Sequence, residues 1–109
     1  MAKEATYIQR GDNIDYTAAA DIAYGAVVPL VTRIGVALES IATGATGSVT
    51  ITGVFEAAAV NDAAFTVGDL LYWDDTANKL TKTSASNTPA GVAIEPKLTA
   101  GATARVRIG

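Results

Sequence analysis

Four times along this chain an apolar residue, two further residues and a glycine lead into Ala or Asp: Ile22-Ala23-Tyr24-Gly25-Ala26, Ile41-Ala42-Thr43-Gly44-Ala45, Phe65-Thr66-Val67-Gly68-Asp69 and Leu98-Thr99-Ala100-Gly101-Ala102. Glycine adopts positive φ without a Cβ clash, so each copy predicts a tight turn that delivers the chain into the next strand, with the leading apolar side chain as its anchor. No phosphate-loop lysine follows any of these glycines, which makes them joints rather than nucleotide cradles.

Between the joints the sequence alternates with period two, the signature of strands with one buried and one wet face. Ala104, Val106 and Ile108 point one way while Thr103, Arg105 and Arg107 point the other. Ser48, Thr50 and Thr52 alternate with Val49, Ile51 and Gly53, Phe55 continues the apolar side, and Lys79 to Thr83 repeats the pattern more weakly around Leu80. No window of helical length carries apolar residues at three-and-four spacing between caps, although Glu56 to Ala64 is alanine-rich enough for one short turn. The chain reads as all-β.

Two stretches also resemble each other. Gly35-Val36-Ala37-Leu38-Glu39 matches Gly91-Val92-Ala93-Ile94-Glu95, and Gly44-Ala45-Thr46, Val49 and Ile51 match Gly101-Ala102-Thr103, Val106 and Ile108. The economical architecture is a compact antiparallel β-barrel or sandwich with a pseudo-twofold internal repeat, its halves at about 20–56 and 64–109 and a longer loop from Asp74 to Asn78 in the second. The competing explanation is chance similarity between two hairpins of ordinary composition. Residues 1–10 form an N-terminal arm or first strand, and 11–109 a single β domain.

Composition bounds what such a domain can do. Half of the 109 residues are hydrophobic, but 22 of these are alanine, so the core is thin and association with copies or a partner is an expected source of stability. There is no His and no Cys, which removes the usual general base, thiolate nucleophiles, disulfides and zinc-thiolate sites. The net charge is -3 and the 8 basic residues are scattered, which argues against a nucleic-acid partner. The opening Met1 to Tyr7 has no apolar stretch and reads as no signal peptide. The uncharged run from Ile22 to Thr32 is short and contains Gly25 and Pro29, so no membrane span is expected.

Leu70-Leu71-Tyr72-Trp73 and Ala26 to Val31 are apolar on both faces of any strand they form. A second apolar face must meet another layer, a loop or another molecule. Pro29 cannot donate to a ladder and favours an edge or a bulge. Trp73 is expected under the protein's own loops. The edge residues Val27, Val28, Pro29, Leu30 and Val31, with Tyr72 and Trp73, are nevertheless candidates for intermolecular contact.

Tests for chemistry give little. Ser40, Ser48, Ser84 and Ser86 have no histidine to activate them, and no motif supports a Ser-Lys pair. The carboxylate pairs Asp12 with Asp15 and Asp74 with Asp75 sit in strong turn sequences, and a turn role outweighs acid-base work. The oxygen-rich loop lacks the spacing of a dedicated calcium site. Tyr7, Tyr16, Tyr24, Tyr72 and Trp73 form no base-stacking platform without a basic groove and read as core or interface anchors. No catalytic residue, cofactor or metal is expected.

Taken in order, Tyr7-Ile8, Gly11-Asp12-Asn13-Ile14-Asp15-Tyr16-Thr17, Ala20-Asp21-Ile22, Gly25, Ile34-Gly35-Val36-Ala37, Gly44-Ala45-Thr46-Gly47, Thr52-Gly53-Val54-Phe55-Glu56, Gly68-Asp69, Tyr72-Trp73 and Val106-Arg107-Ile108 resemble the small tailed-phage capsid-cement, or head-decoration, family. Members of that family have also been called RecA-type phage recombinases. This sequence contradicts that label, having no Gly-Lys-Ser/Thr phosphate loop and too few residues for a nucleotide-binding recombinase core.

The resemblance implies a structural protein on the virion. It would bind the outside of an expanded head, bridge major-capsid subunits and resist DNA pressure, after assembly in the host cytoplasm. It would work as a homo-oligomer, a trimer with a dimer as rival. The arm residues Ala2, Lys3, Glu4, Ala5, Thr6, Tyr7, Ile8, Gln9 and Arg10 could then lie on a capsid subunit by strand addition. The alternative function is a virion-displayed β-barrel module for carbohydrate or a host surface, marked by exposed coplanar Trp and Tyr.

Overall fold

In a computed structural model the described residues are 4–109, and they form nine strands and no helix. β1 (Asn13–Thr17), β2 (Val27–Pro29), β3 (Ile34–Ala37) and β4 (Thr46–Thr50) make one sheet in the order β1-β4-β3-β2. β5 (Gly53–Ala58), β6 (Leu70–Asp74), β7 (Lys79–Thr81), β8 (Thr88–Ala93) and β9 (Thr103–Ile108) make a second in the order β5-β9-β8-β6-β7. Every ladder is antiparallel. No helix is long and apolar enough to cross a membrane among the described residues.

Neither sheet closes into a barrel, which corrects that alternative. The edges of the second sheet meet only where Ala59 bridges Leu80, with Val60 N donating to Leu80 O at 3.0 Å. The radius of gyration is 15.4 Å, above the roughly 13 Å of a compact domain of this length. Open sheets and the exposed arm before β1 account for the excess.

The four turns form, each closed by a backbone hydrogen bond: Ala26 N to Ala23 O, Ala45 N to Ala42 O, Asp69 N to Thr66 O and Gly101 N to Leu98 O, all within 2.9–3.0 Å. Gly25, Gly44 and Gly68 occupy the third position with φ of 80°, 81° and 94°, as a type II turn requires. The fourth turn is slipped by one residue. Ala100 takes the third position without positive φ, Gly101 takes the fourth, and the anchor is the buried Lys97, while Leu98 is 84% exposed. The leading residues pair across the turns, Ile22 with Ile41 and Phe65 with Lys97.

Alternation holds best in β9, where Ala104, Val106 and Ile108 are buried and the intervening residues exposed. The expected run from Ser48 to Phe55 is instead cut at Ile51-Thr52, where the chain passes between sheets. Ile51 N donates to Asp12 O at 2.9 Å, and Gly53 holds φ 125°, open in practice only to glycine. Glu56 to Ala64 forms no helical turn: Glu56 to Ala58 pair with β9, and the N–H groups of Ala59 and Val60 are taken by Ala102 O and Leu80 O, which overrides alanine's propensity. The expected long loop after Asp74 is a tight hairpin: Asn78, at φ 57°, donates its N–H to Asp74 O at 2.7 Å.

Two apolar clusters result. The larger lies on the second sheet around Phe65, Leu71, Trp73, Leu80, Val106 and Ile108, and it takes in Ile34 and Val36 from one face of β3. The smaller gathers Ala18, Val28, Ala37, Ile41 and Val49 on the opposite face of the first sheet, covered by Ile22 and Leu30.

Matching residues of the two sheets make matching hydrogen bonds. Gly25 N and Gly68 N donate to Ala37 O and Ala93 O, at 2.8 and 2.9 Å. Leu38 N and Ile94 N reach Ser48 O and Arg105 O, at 3.0 and 3.2 Å. A Cβ at Gly35 would strike the Val49 side chain first and Thr50 O next, and one at Gly91 would strike the Arg107 carbonyl, so both glycines allow close approach of the adjacent strand.

Candidate binding surface

Of the arm residues, Ala2 and Lys3 lie outside the described residues. Glu4, Ala5, Thr6, Tyr7, Ile8, Gln9 and Arg10 are all exposed and belong to no strand, with Tyr7 and Ile8 each 80% exposed. Among its described residues the arm is tied down only near β1, where Arg10 meets Asp12 at 2.9 Å and Gln9 Nε2 donates to Asn13 O at 3.4 Å.

The two segments that are apolar on both faces have different fates. Val28 is buried in the smaller cluster while Val27 packs against the larger, so both faces of β2 are used inside the chain. Pro29 stands on the free edge of the first sheet, opposite Ile34, where its missing N–H costs nothing. Leu30 is half-buried, and Val31 is almost fully exposed at the hairpin tip with φ 67°, a costly geometry for a β-branched residue.

In β6, Leu71 and Trp73 point into the core, while Leu70 is 64% exposed and Tyr72 half-buried on the outer face. Trp73 therefore offers no exposed platform beside Tyr72. Its indole Nε1–H donates to Asp75 Oδ1 at 3.2 Å.

The same register places further side chains on that outer face, which sequence reasoning missed. Val54 pairs with Arg107, Arg107 with Val92 and Val92 with Leu70, a row across four strands, about 14 Å long at ordinary strand spacing. Tyr72 sits opposite the exposed Pro89 beyond a bulge in the β6–β8 ladder. The next row is ionic: Arg105 meets Glu95 at 2.9 Å and Glu56 at 3.9 Å. The alternation of β9 was legible, but the strands that flank it were not, and only they turn single exposed residues into a row. Tyr24, Val67 and Leu98 are also exposed, on three of the four turns.

Three of the four paired carboxylates are occupied structurally, while Asp15 stands exposed on β1 rather than in a turn. Asp74 Oδ1 accepts from Thr76 N and Ala77 N at 3.0 and 3.1 Å, Asp75 holds the indole, and Asp12 pairs with Arg10. Asp21 Oδ1 accepts from both the backbone N–H and the hydroxyl of Thr43, each at 2.8 Å. The backbone bond first and the hydroxyl second hold its carboxyl below the ordinary 3.8, against a smaller opposing effect of desolvation. No group of three or more acidic, His or Cys side chains is placed to hold a metal among the described residues. A hollow of about 410 Å³ between the sheets is lined by Val27, Val36, Phe55, Ala57 and Trp73, with Glu56 at its rim, and lacks converging reactive groups.

An all-β framework in which Asp21, Asp69 and Asp74 bond turn backbone, and whose outer face keeps apolar side chains in water, has the makeup of a structural, surface-associating protein. The profile of the phage cement protein family matches residues 8–108, and the chain belongs to that family. It is a structural phage protein associated with the capsid. No curated protein and no solved structure matches the chain.

Proposed function

We propose that this protein decorates the exterior of an expanded phage head, bridging neighbouring major-capsid subunits and stabilising the shell against the pressure of packaged DNA. The family match carries this reading, because it runs from the exposed arm at Ile8 to the end of the last strand. Many copies engaging a lattice at once need only modest individual contacts, and no catalytic group takes part. The exposed arm from Glu4 to Arg10 joins a capsid subunit by strand addition, and the protein acts as a trimer after assembly in the host cytoplasm. The paired hydrogen bonds of the two sheets support a sandwich-like arrangement of two related halves.

The test is reconstitution. Purified protein added to heads assembled without it is expected to sediment with them and raise the temperature at which they release DNA. Heads that bind none of it overturn the reading.

A further inference from the structure

The outer face of the second sheet carries an apolar row beside an ionic one, and none of the described residues covers it. Val27 and Val28 show what becomes of a segment with two apolar faces when both are used internally: one joins each cluster. Leu70 and Tyr72 present the contrasting case. Their neighbours Leu71 and Trp73 fill the core, while Leu70, Val54 and Pro89 remain exposed on the outside. Register makes this one patch rather than scattered residues, since direct cross-strand pairs share a face.

Charge selects the occupant. The row from Val54 to Leu70 contains Arg107, exposed and, among the described residues, without a carboxylate in ion-pair reach. Arg105, one step along the same strand and face, is bracketed by Glu56 and Glu95. An arginine seated among apolar side chains presents five donors at the centre of a surface that excludes water on docking. A second copy docked face to face about a twofold through this row would bring two such arginines together, which disfavours self-association there.

We infer that the patch formed by Val54, Leu70, Tyr72, Pro89, Val92 and Arg107 docks a capsid-protein surface bearing a carboxylate flanked by apolar side chains. The carboxylate pairs with the Arg107 guanidinium, and the flanking groups cover Val54 and Leu70. This rests on the head-decoration reading and adds which face meets the capsid.

The experiment compares wild type with Leu70→Asp, Arg107→Glu and Arg107→Gln by co-sedimentation with heads assembled without the protein, beside sedimentation velocity of each protein alone. Both substituted positions are exposed, and thermal unfolding checks that each variant folds. The expected result is at least tenfold weaker head binding for Leu70→Asp and Arg107→Glu, a smaller loss for Arg107→Gln, and an unchanged mass alone. Folded variants that bind like wild type overturn the inference and leave the head-decoration reading intact. A loss of binding that tracks a drop in oligomer mass assigns the face to a second copy and also overturns it. Wild type that fails to sediment with heads overturns both.

Discussion

The Lys97 ammonium lies 4.9 Å from the centroid of the Phe65 ring, and the two residues also exchange backbone hydrogen bonds at 3.0 Å in both directions. Its Nζ donates to Leu98 O and Gly101 O at 3.0 Å and to Thr99 O at 3.4 Å, so a buried cation closes the one turn that lacks a left-handed glycine. Lys97→Met keeps the stem and removes those bonds. The expected loss is about 2 kcal/mol, or roughly 10 °C in Tm, followed by the fluorescence of the single tryptophan. An unchanged Tm would show that water serves the three carbonyls equally well.

Gly91 and Gly11 separate steric need from sequence habit. A Cβ at Gly91 would strike the Arg107 backbone carbonyl, which the β8–β9 ladder holds in place, whereas one at Gly11 meets nothing within 4 Å. Gly91→Ala is expected to cost about 3 kcal/mol in denaturant unfolding. Gly11→Ala should stay within about 0.5 kcal/mol. Equal stability of the two variants would contradict this packing.

Val31 is expected to be a poor choice for its own backbone. At φ 67° and 90% exposure it has the strain of a left-handed valine with no burial to offset it. Val31→Asn should raise stability by about 0.5–1 kcal/mol, because asparagine tolerates that conformation. A destabilised Val31→Asn variant would mean that the hairpin tip does not adopt this geometry.

The Asp21–Thr43 link gives a pH signature. The folded carboxyl titrates below its unfolded value near 3.8, so its contribution is fully present above that value. It fades as the pH falls from there through the folded pKa. Wild type should therefore lose more stability than Asp21→Asn across that acid window, and the two should run parallel above pH 5. Parallel curves throughout would sink the assignment.

Much of the fold was legible because its signals are local. Positive φ at Gly25, Gly44 and Gly68 and the alternation of β9 follow from single residues and their immediate neighbours. The slip at Lys97 was not legible, since Leu98 is the more apolar anchor and only the carbonyl cradle makes a buried lysine the better one. The break at Ile51-Thr52 likewise depends on the contact with Asp12, far away in sequence. For the surface, the two-sided apolarity around Leu70 announced an unmet face, but Arg107 and Val54 join it only through pairing between distant strands.

Each sheet is drawn from one unbroken stretch, strands 13–50 and then 53–108. During synthesis the whole first sheet can therefore emerge and pair before the second sheet is complete. Ile34 and Val36, whose cluster lies mostly on the later sheet, must then wait uncovered on the nascent chain. Their apolar side chains gain cover only when the second sheet arrives.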